Sequence, residues 1–355
     1  MNSEVLIRDP VFQLNLLLWM AKEQPPQGYV VRPVFFQSGF GFIYIENPFK
    51  FPQETLAAIE HSGQAIGKEP EPELLLGRRV DNIALYFEAK ADSFSSSSTN
   101  ARQARGHLLA VGQAFAEVMT PYQSCLLCYV VPEEKHSLMR ECLTELSTGL
   151  SQGRLQPGPH SSHGLAVREQ DLHYSWDDVF KQHVGVNTNS SVVMSGLKED
   201  TDPSPLFIIY TDEDYADESK RDLLRRVMIN QVHAVLVSDL NLLSLGGTYE
   251  RSASSILLDM TDGVFQYLGR KRQKGMQRLV TENVFKRIAE FSKDRFPGLV
   301  SRQADSLRIR FTDQNMKESF LDWLEDFKRT AFRTDRPPDD PMLPFPDPKE
   351  TNDGR

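Results

Sequence analysis

The sequence predicts an α/β protein. It reads as a mixed sheet flanked by helices over residues 1–195, a mainly helical α/β domain with one or two strands over 196–333, and a disordered, acidic, Pro-rich tail over 334–355. Three observations predict this. Helical and strand-like segments alternate through the first half of the chain. Ile83–Phe87 is nearly all apolar, as suits a central strand covered on both faces. Beyond Glu218 the apolar residues recur mostly at helical spacing.

Pro10–Lys22 has helical apolar spacing, and Pro25 and Pro26 end that helix. Tyr29–Ile45, rich in Val, Phe and Tyr, reads as two strands around a Ser38-Gly39 turn. Pro52 and Gly67 bracket a helix over 53–66. Lys68–Pro72 is a short polar connection, and Leu74–Lys90 is strand-like. The run 93–98 holds five serines and forms a loop; Thr99 or Asn100 then caps a helix that runs to about Met119. Ser124–Val131 is a buried strand and Glu133–Gly149 a helix. Gln152–Ser162 is a Pro/Gly/Ser-rich loop, and Leu165–Val167, Val192–Ser195 and Leu206–Tyr210 are candidate strands. Helices are expected over 218–243, 252–268, 275–293 and 315–332, with a strand at Leu307–Phe311.

The 355 residues suit two domains. No apolar run reaches the roughly 18 residues of a membrane span; the best, Val11–Met20, is broken by Gln13 and Asn15. No secretory signal pattern opens the chain, and three cysteines exclude a disulfide framework, so a cytoplasmic protein is expected. The net charge of −9 is unevenly placed. Residues 199–218 carry eight carboxylates without a Lys or Arg, and the last 22 residues carry six against three cations. The remainder is slightly positive, with a basic cluster at Arg270, Lys271, Arg272, Lys274, Arg278, Lys286 and Arg287. That cluster reads either as a phosphate-backbone footprint or as a solvated helix face.

The chemically informative segment is Arg78–Lys90, in which Asp81 is followed after six residues by Glu88-Ala89-Lys90. Glu88 and Lys90 leave the same face of a strand. A turn near Asn82 is expected to bring Asp81 beside Glu88. Two converging carboxylates suit a hard divalent cation, and a neighbouring Lys can orient water or neutralise charge on a phosphate.

These residues resemble the D-(E/D)-x-K signature of the PD-(D/E)xK nuclease superfamily. Val80 stands where the family has Pro, and the gap resembles that of the mismatch-repair nicking endonuclease. The family core, a helix, a strand meander carrying the motif, a helix and a further strand, fits residues 53–131. Gln103 and His107 share a face of the next helix. The family often has a Gln there, and one branch has Q-x-x-x-Y, so His107 departs from it. The Ser-rich loop and Gln103–His107 also resemble restriction-like proteins of bacterial defence loci. The match covers Arg78–His107.

The resemblance implies a Mg²⁺-dependent DNA endonuclease, with Mn²⁺ as substitute, acting in bacterial antiviral defence. Asp81 and Glu88 would hold the metal, and Lys90 and Gln103 would complete the site. Arg105, His107, Arg270, Lys271, Arg272, Lys274 and Arg278 would contact DNA. With no P-loop in the chain, energy and targeting would come from a separate ATPase or helicase subunit, and a homo-oligomer is compatible. The alternative is a non-catalytic nuclease-like assembly subunit or nucleic-acid clamp.

Other constellations read more plainly. Cys125 and Cys128, three apart in an apolar strand, read as core thiols rather than zinc ligands. His160, His163 and His173 read as incidental to a polar loop, with a metal cluster as the alternative. Phe320, Trp323, Leu324 and Phe327 have core spacing. Glu46, Glu54 or Glu60 is a candidate further acid.

Overall fold

The computed structural model describes residues 6–23, 30–112, 115, 118–119, 121–196 and 218–330. The tail, most of the acidic 199–218 segment and the Leu206–Tyr210 candidate strand lie outside the described residues. The chain divides into two compact units, Met1–Asp214 with Gly263–Gly275, and Tyr215–Asp262 with Met276–Arg355. The return of Gly263–Gly275 to the first unit differs from the single cut read from sequence.

The first unit is built on an eight-stranded mixed sheet of order β1-β8-β7-β6-β5-β4-β3-β2. Its strands are β1 (Val30–Val31), β2 (Gly41–Tyr44), β3 (Leu74–Arg78), β4 (Ile83–Ala89), β5 (Ser124–Pro132), β6 (His160–Arg168), β7 (Asp171–Trp176) and β8 (Ser190–Ser195). The β4–β5 and β5–β6 pairs are parallel, and the other pairs are antiparallel. Parallel neighbours need a crossover. Helix α4 (Thr99–Ala110) links β4 to β5, and α5 (His136–Gln152) links β5 to β6.

Helix α1 (Pro10–Met20) is capped by Asp9, whose carboxylate accepts from the Val11 amide at 2.9 Å. It is buried from Val11 to Met20 rather than along one stripe, so its polar Gln13 and Asn15 lie inside. The expected hairpin over 29–45 does not form. Pro33 ends β1, Val34–Gln37 makes a helical turn, α2, and β1 and β2 stand at opposite edges of the sheet. Helix α3 (Gln53–Ser62) stops earlier than expected because Gly63, at φ 64°, takes the left-handed cap. Ser98, rather than Thr99 or Asn100, caps α4. The supposed histidine loop is ordered β6 and β7, followed by α6 (Asp178–Val184). Cys125 and Cys128 are buried free thiols on β5.

One face of the sheet packs Leu75, Tyr86, Leu127 and Tyr129 against Leu108 and Leu109 of α4 and Leu143 and Leu146 of α5. Residues alternate across a strand, so Glu73, Glu88 and Lys90 fall on this same face.

The second unit contains α7 (Glu218–Leu242), β9 (Thr248–Ser252), α8 (Ala253–Met260), α10 (Lys286–Phe291), β10 (Val300–Gln303), β11 (Ser306–Arg310) and α11 (Gln314–Thr330). The helix α9 (Arg270–Val280) starts among the residues grouped with the first unit and continues into a π-helical turn at Thr281–Phe285. β9, β10 and β11 form a small antiparallel sheet. Phe320, Trp323, Leu324 and Phe327 are buried, as their spacing predicts.

Candidate functional site

The β3–β4 hairpin fixes the geometry. Asn82, at φ 58°, takes the left-handed conformation that a tight turn needs. The register then pairs Arg78 with Ile83 and Leu74 with Phe87. Extending it by one position sets Glu73 across from Glu88. The Glu73 amide donates to the Phe87 carbonyl at 3.1 Å, and Glu73 Oε2 accepts from the Ala89 amide at 2.9 Å.

Asp81 is therefore not in the site. It lies at the turn end of β4, while Glu88 lies at the other end, and the strand from Ile83 to Glu88 spans roughly 17 Å. Asp81 instead accepts from Arg78, at 3.0 Å from Nε and 2.5 Å from a terminal nitrogen. That bond holds its carboxyl below the usual range. Arg78 also ties the turn to the carbonyls of Ser38 and Val184.

Lys90 Nζ stands 3.0 Å from Glu88 Oε2 and 3.6 Å from Glu73 Oε1. Its backbone is held on both sides: its amide donates to the Val130 carbonyl at 2.8 Å, and its carbonyl accepts from Gln13 of α1 at 3.2 Å. Glu88 is almost wholly buried, and its Oε1 has no hydrogen-bond partner. Burial raises the Glu88 pKa, with Lys90 acting against it. Burial likewise pushes Glu73 up to about 7. For Lys90, burial lowers the pKa, but Glu88 and Glu73 together outweigh it, so the group stays an ammonium.

Helix α4 supplies the opposite wall. Gly106 packs against Gly67, where a Cβ would come within 2.5 Å of the Gly67 carbonyl oxygen. Gly67 in turn donates to the Arg102 carbonyl at 2.8 Å. This approach puts Gln103 and His107 on a cleft of about 410 Å³ that also contains Glu73, Glu88 and Lys90. His107 is buried below Glu88 rather than offered to a ligand strand. Its Nδ1 is 3.0 Å from the Tyr129 hydroxyl and 3.7 Å from Glu88 Oε1. Burial and then Lys90 push its pKa down to about 3, so the imidazole is neutral.

Arg105 departs from its expected role. Two residues from both Gln103 and His107, it falls on another face of α4. It donates to the Ser96 carbonyl at 3.0 Å and lines a different cavity. The basic cluster divides as well. Lys271 and Arg272 line the cleft with Glu46, while Arg270 and Lys274 are exposed outside its lining and Arg278 belongs to the second unit. Glu46 ion-pairs with Arg272, and Glu60 forms an exposed pair with Lys68.

Glu69, Glu71 and Glu73, which alternate with Pro70 and Pro72, also line the cleft. Glu69 and Glu71 fall in the stretch expected to be a polar connection, and Glu73 lies between it and the strand-like segment that starts at Leu74. The missed signal is Pro72-Glu73 at the start of a hairpin whose turn, once placed at 79–82, sets Glu73 against Glu88.

Among the described residues, no group of three or more His, Cys, Asp or Glu side chains is arranged to hold a metal. The pair Glu73 and Glu88 still fits a hard cation that keeps waters and takes substrate oxygens as further ligands. The unpartnered Glu88 Oε1 is the buried atom such an ion would satisfy. No helix among the described residues is long and apolar enough to cross a membrane. Comparison with protein-family models, curated proteins and solved structures yields no match.

Proposed function

We propose that the chain is a metal-dependent DNA endonuclease of the PD-(D/E)xK type, with Glu73 in the place that the sequence reading gave to Asp81. The observation that carries this reading is the arrangement of two facing carboxylates with Lys90 Nζ at 3.0 and 3.6 Å from them. The order α3, β3–β4 hairpin, α4 and parallel β5 supports the same core. Pro72 before Glu73 supplies the Pro-acid pair that Val80-Asp81 lacks.

Glu73 and Glu88 would hold Mg²⁺, or Mn²⁺ in its place. Bound there, the ion would polarise a phosphate oxygen and activate water. Lys90, held as an ammonium, is unsuited to taking a proton; it would donate toward an oxygen on which negative charge develops. Gln103 would orient substrate or water from the α4 wall. His107 and Tyr129 would fix the floor under Glu88. Targeting by a separate ATPase or helicase subunit of a bacterial defence system belongs to the same proposal.

One observation favours the non-catalytic alternative: Lys90 Nζ already lies between the two carboxylates, where it can hold them together without a metal. Incubation of supercoiled plasmid with Mg²⁺ or Mn²⁺ separates the two. The nuclease reading expects nicking or linearisation by wild type and none by Glu88→Gln or Lys90→Ala. Intact plasmid, linear and single-stranded DNA under all conditions, partner subunits included, would leave the clamp.

A further inference from the structure

The second unit has an element order of its own. It runs α7, β9, α8, the α9–α10 helix from Met276 onward, β10 and β11, and β9 pairs with β11. Helix α7 packs against α8 and against the π-helical turn Thr281–Phe285, and that turn packs against β11. The meeting faces are apolar: Val232 and Leu236 of α7, Val284 and Phe285 of the turn, and Leu307 and Ile309 of β11 are all buried. The unit is thus a helical core closed by a three-stranded antiparallel sheet of order β10-β11-β9. Helix, strand, helix, helix, strand, strand, with the first strand paired to the last, is the order of a winged helix-turn-helix module. In such a module the third helix enters the major groove of DNA.

The third helix here has the surface that this role needs. Between Met276 and Ile288 its cations are Arg278, Lys286 and Arg287, and its one acid is Glu282. Arg278, Glu282 and Lys286 recur at every fourth position and are all exposed, while Leu279, Val284 and Phe285 face the core. The β10–β11 hairpin stands beside this helix. Its tight turn is made at Ala304 and Asp305, and α10 packs on β10. Arg302 of β10 reaches across to Glu282, donating to Oε1 at 3.1 Å. Lys286 Nζ is 3.5 Å from the other oxygen of the same carboxylate. Glu282 therefore gathers a helix cation and a hairpin cation side by side. Counted with Arg278, the three cations exceed the one acid by two charges, which complements a polyanion. A helix with its side chains is about 10–12 Å across, which matches a B-DNA major groove about 12 Å wide.

We infer that the second unit is a duplex-DNA-binding module of the winged-helix kind, with Arg278 and Lys286 presented by the third helix and Arg302 by the hairpin. Arg278 lies on the face that enters the groove. Lys286 and Arg302, joined through Glu282, meet the phosphates that flank it. This gives the chain a DNA contact in a different unit from the Glu73–Glu88–Lys90 cleft, and it holds whether or not that cleft cuts DNA.

The test is fluorescence anisotropy of full-length protein on a labelled DNA duplex in EDTA, with salt varied from about 50 to 200 mM. The double variant Arg278→Ala/Lys286→Ala is expected to weaken binding at least about tenfold and to lower the salt slope by about two. Arg302→Ala should lower the slope by about one. Arg278→Lys/Lys286→Arg, which keeps both charges, should keep the wild-type slope. Arg278 and Lys286 are exposed, so the melting temperatures of both double variants should match wild type. An RNA duplex of the same sequence should bind more weakly, because its deep, narrow major groove does not admit a helix. Unchanged affinity and slope in Arg278→Ala/Lys286→Ala, no binding of DNA by wild type, or equal binding of the RNA duplex would each overturn the inference. Plasmid cleavage in Mg²⁺ is scored separately. Cleavage by wild type with unaltered binding by Arg278→Ala/Lys286→Ala removes the module and keeps the nuclease. Binding that depends on Arg278 and Lys286 without cleavage keeps the module and removes the nuclease.

Discussion

Glu73 stands across the β3–β4 hairpin from Glu88, and Lys90 Nζ lies between their carboxylates at 3.6 and 3.0 Å. The acid that faces Glu88 is thus fifteen positions before it and not seven. A half-buried and a buried carboxylate share one ammonium, so with both ionised the cluster keeps an excess negative charge for a cation to neutralise.

The pH dependence of cation binding follows from that excess. A divalent cation needs Glu73 ionised, and its pKa is pushed up to about 7. Mn²⁺ affinity, read as a thermal shift, is expected to rise as pH goes from 6 to 8 and to be nearly flat in Glu73→Gln. The apo protein should respond in the opposite sense. A carboxyl whose pKa is raised on folding stabilises below its unfolded value, and that contribution is lost as pH rises toward about 7. Apo stability should therefore fall between about pH 4.5 and 7 from this group, and less so in Glu73→Gln.

Removing the shared ammonium leaves Glu88 buried without its ion partner. Lys90→Ala is expected to destabilise the apo protein by roughly 3 kcal/mol in urea unfolding. Added Mn²⁺ should recover part of that loss, because it supplies the missing positive charge. A cluster serving structure alone would show the loss without the recovery.

Gly106→Ala tests the wall that carries Gln103 and His107. Ala favours a helix by about 1 kcal/mol, but here its methyl would press on the Gly67 carbonyl. Overpacking against backbone should win, giving a net loss of roughly 1–2 kcal/mol by chemical denaturation. A stabilised variant would mean that the two backbones are not in close contact.

Much of the fold is legible in the sequence because the signals are local. The apolar run of β4 and the helical spacing of Trp323 and Phe327 need only neighbouring residues. The first-unit site is less so. Glu88, Lys90 and Gln103 are legible from spacing, and so is the turn at Asn82, but that turn was expected to bring Asp81 beside Glu88, whereas hairpin register works outward from the turn. Choosing 79–82 as the turn pairs 74 with 87 and puts Asp81 at the wrong end. The buried contacts of His107 and the outward fate of Arg105 depend on which side of α4 meets the sheet. The place of Lys271 depends on a chain return that no local pattern announces. The early end of β1 is different: Pro33 is a local breaker that a reading by Val, Phe and Tyr content alone passes over.

The central claim is tested most directly by exchanging the two candidate acids in one Mg²⁺-dependent plasmid cleavage assay. Glu73→Gln is expected to lower the cleavage rate at least about 100-fold, as loss of one of two metal-holding carboxylates should. Asp81→Asn removes only a partly exposed ion pair with Arg78, which contributes about 0–1 kcal/mol, and should cleave within about twofold of wild type. Loss of cleavage in Asp81→Asn with activity retained in Glu73→Gln would contradict the account.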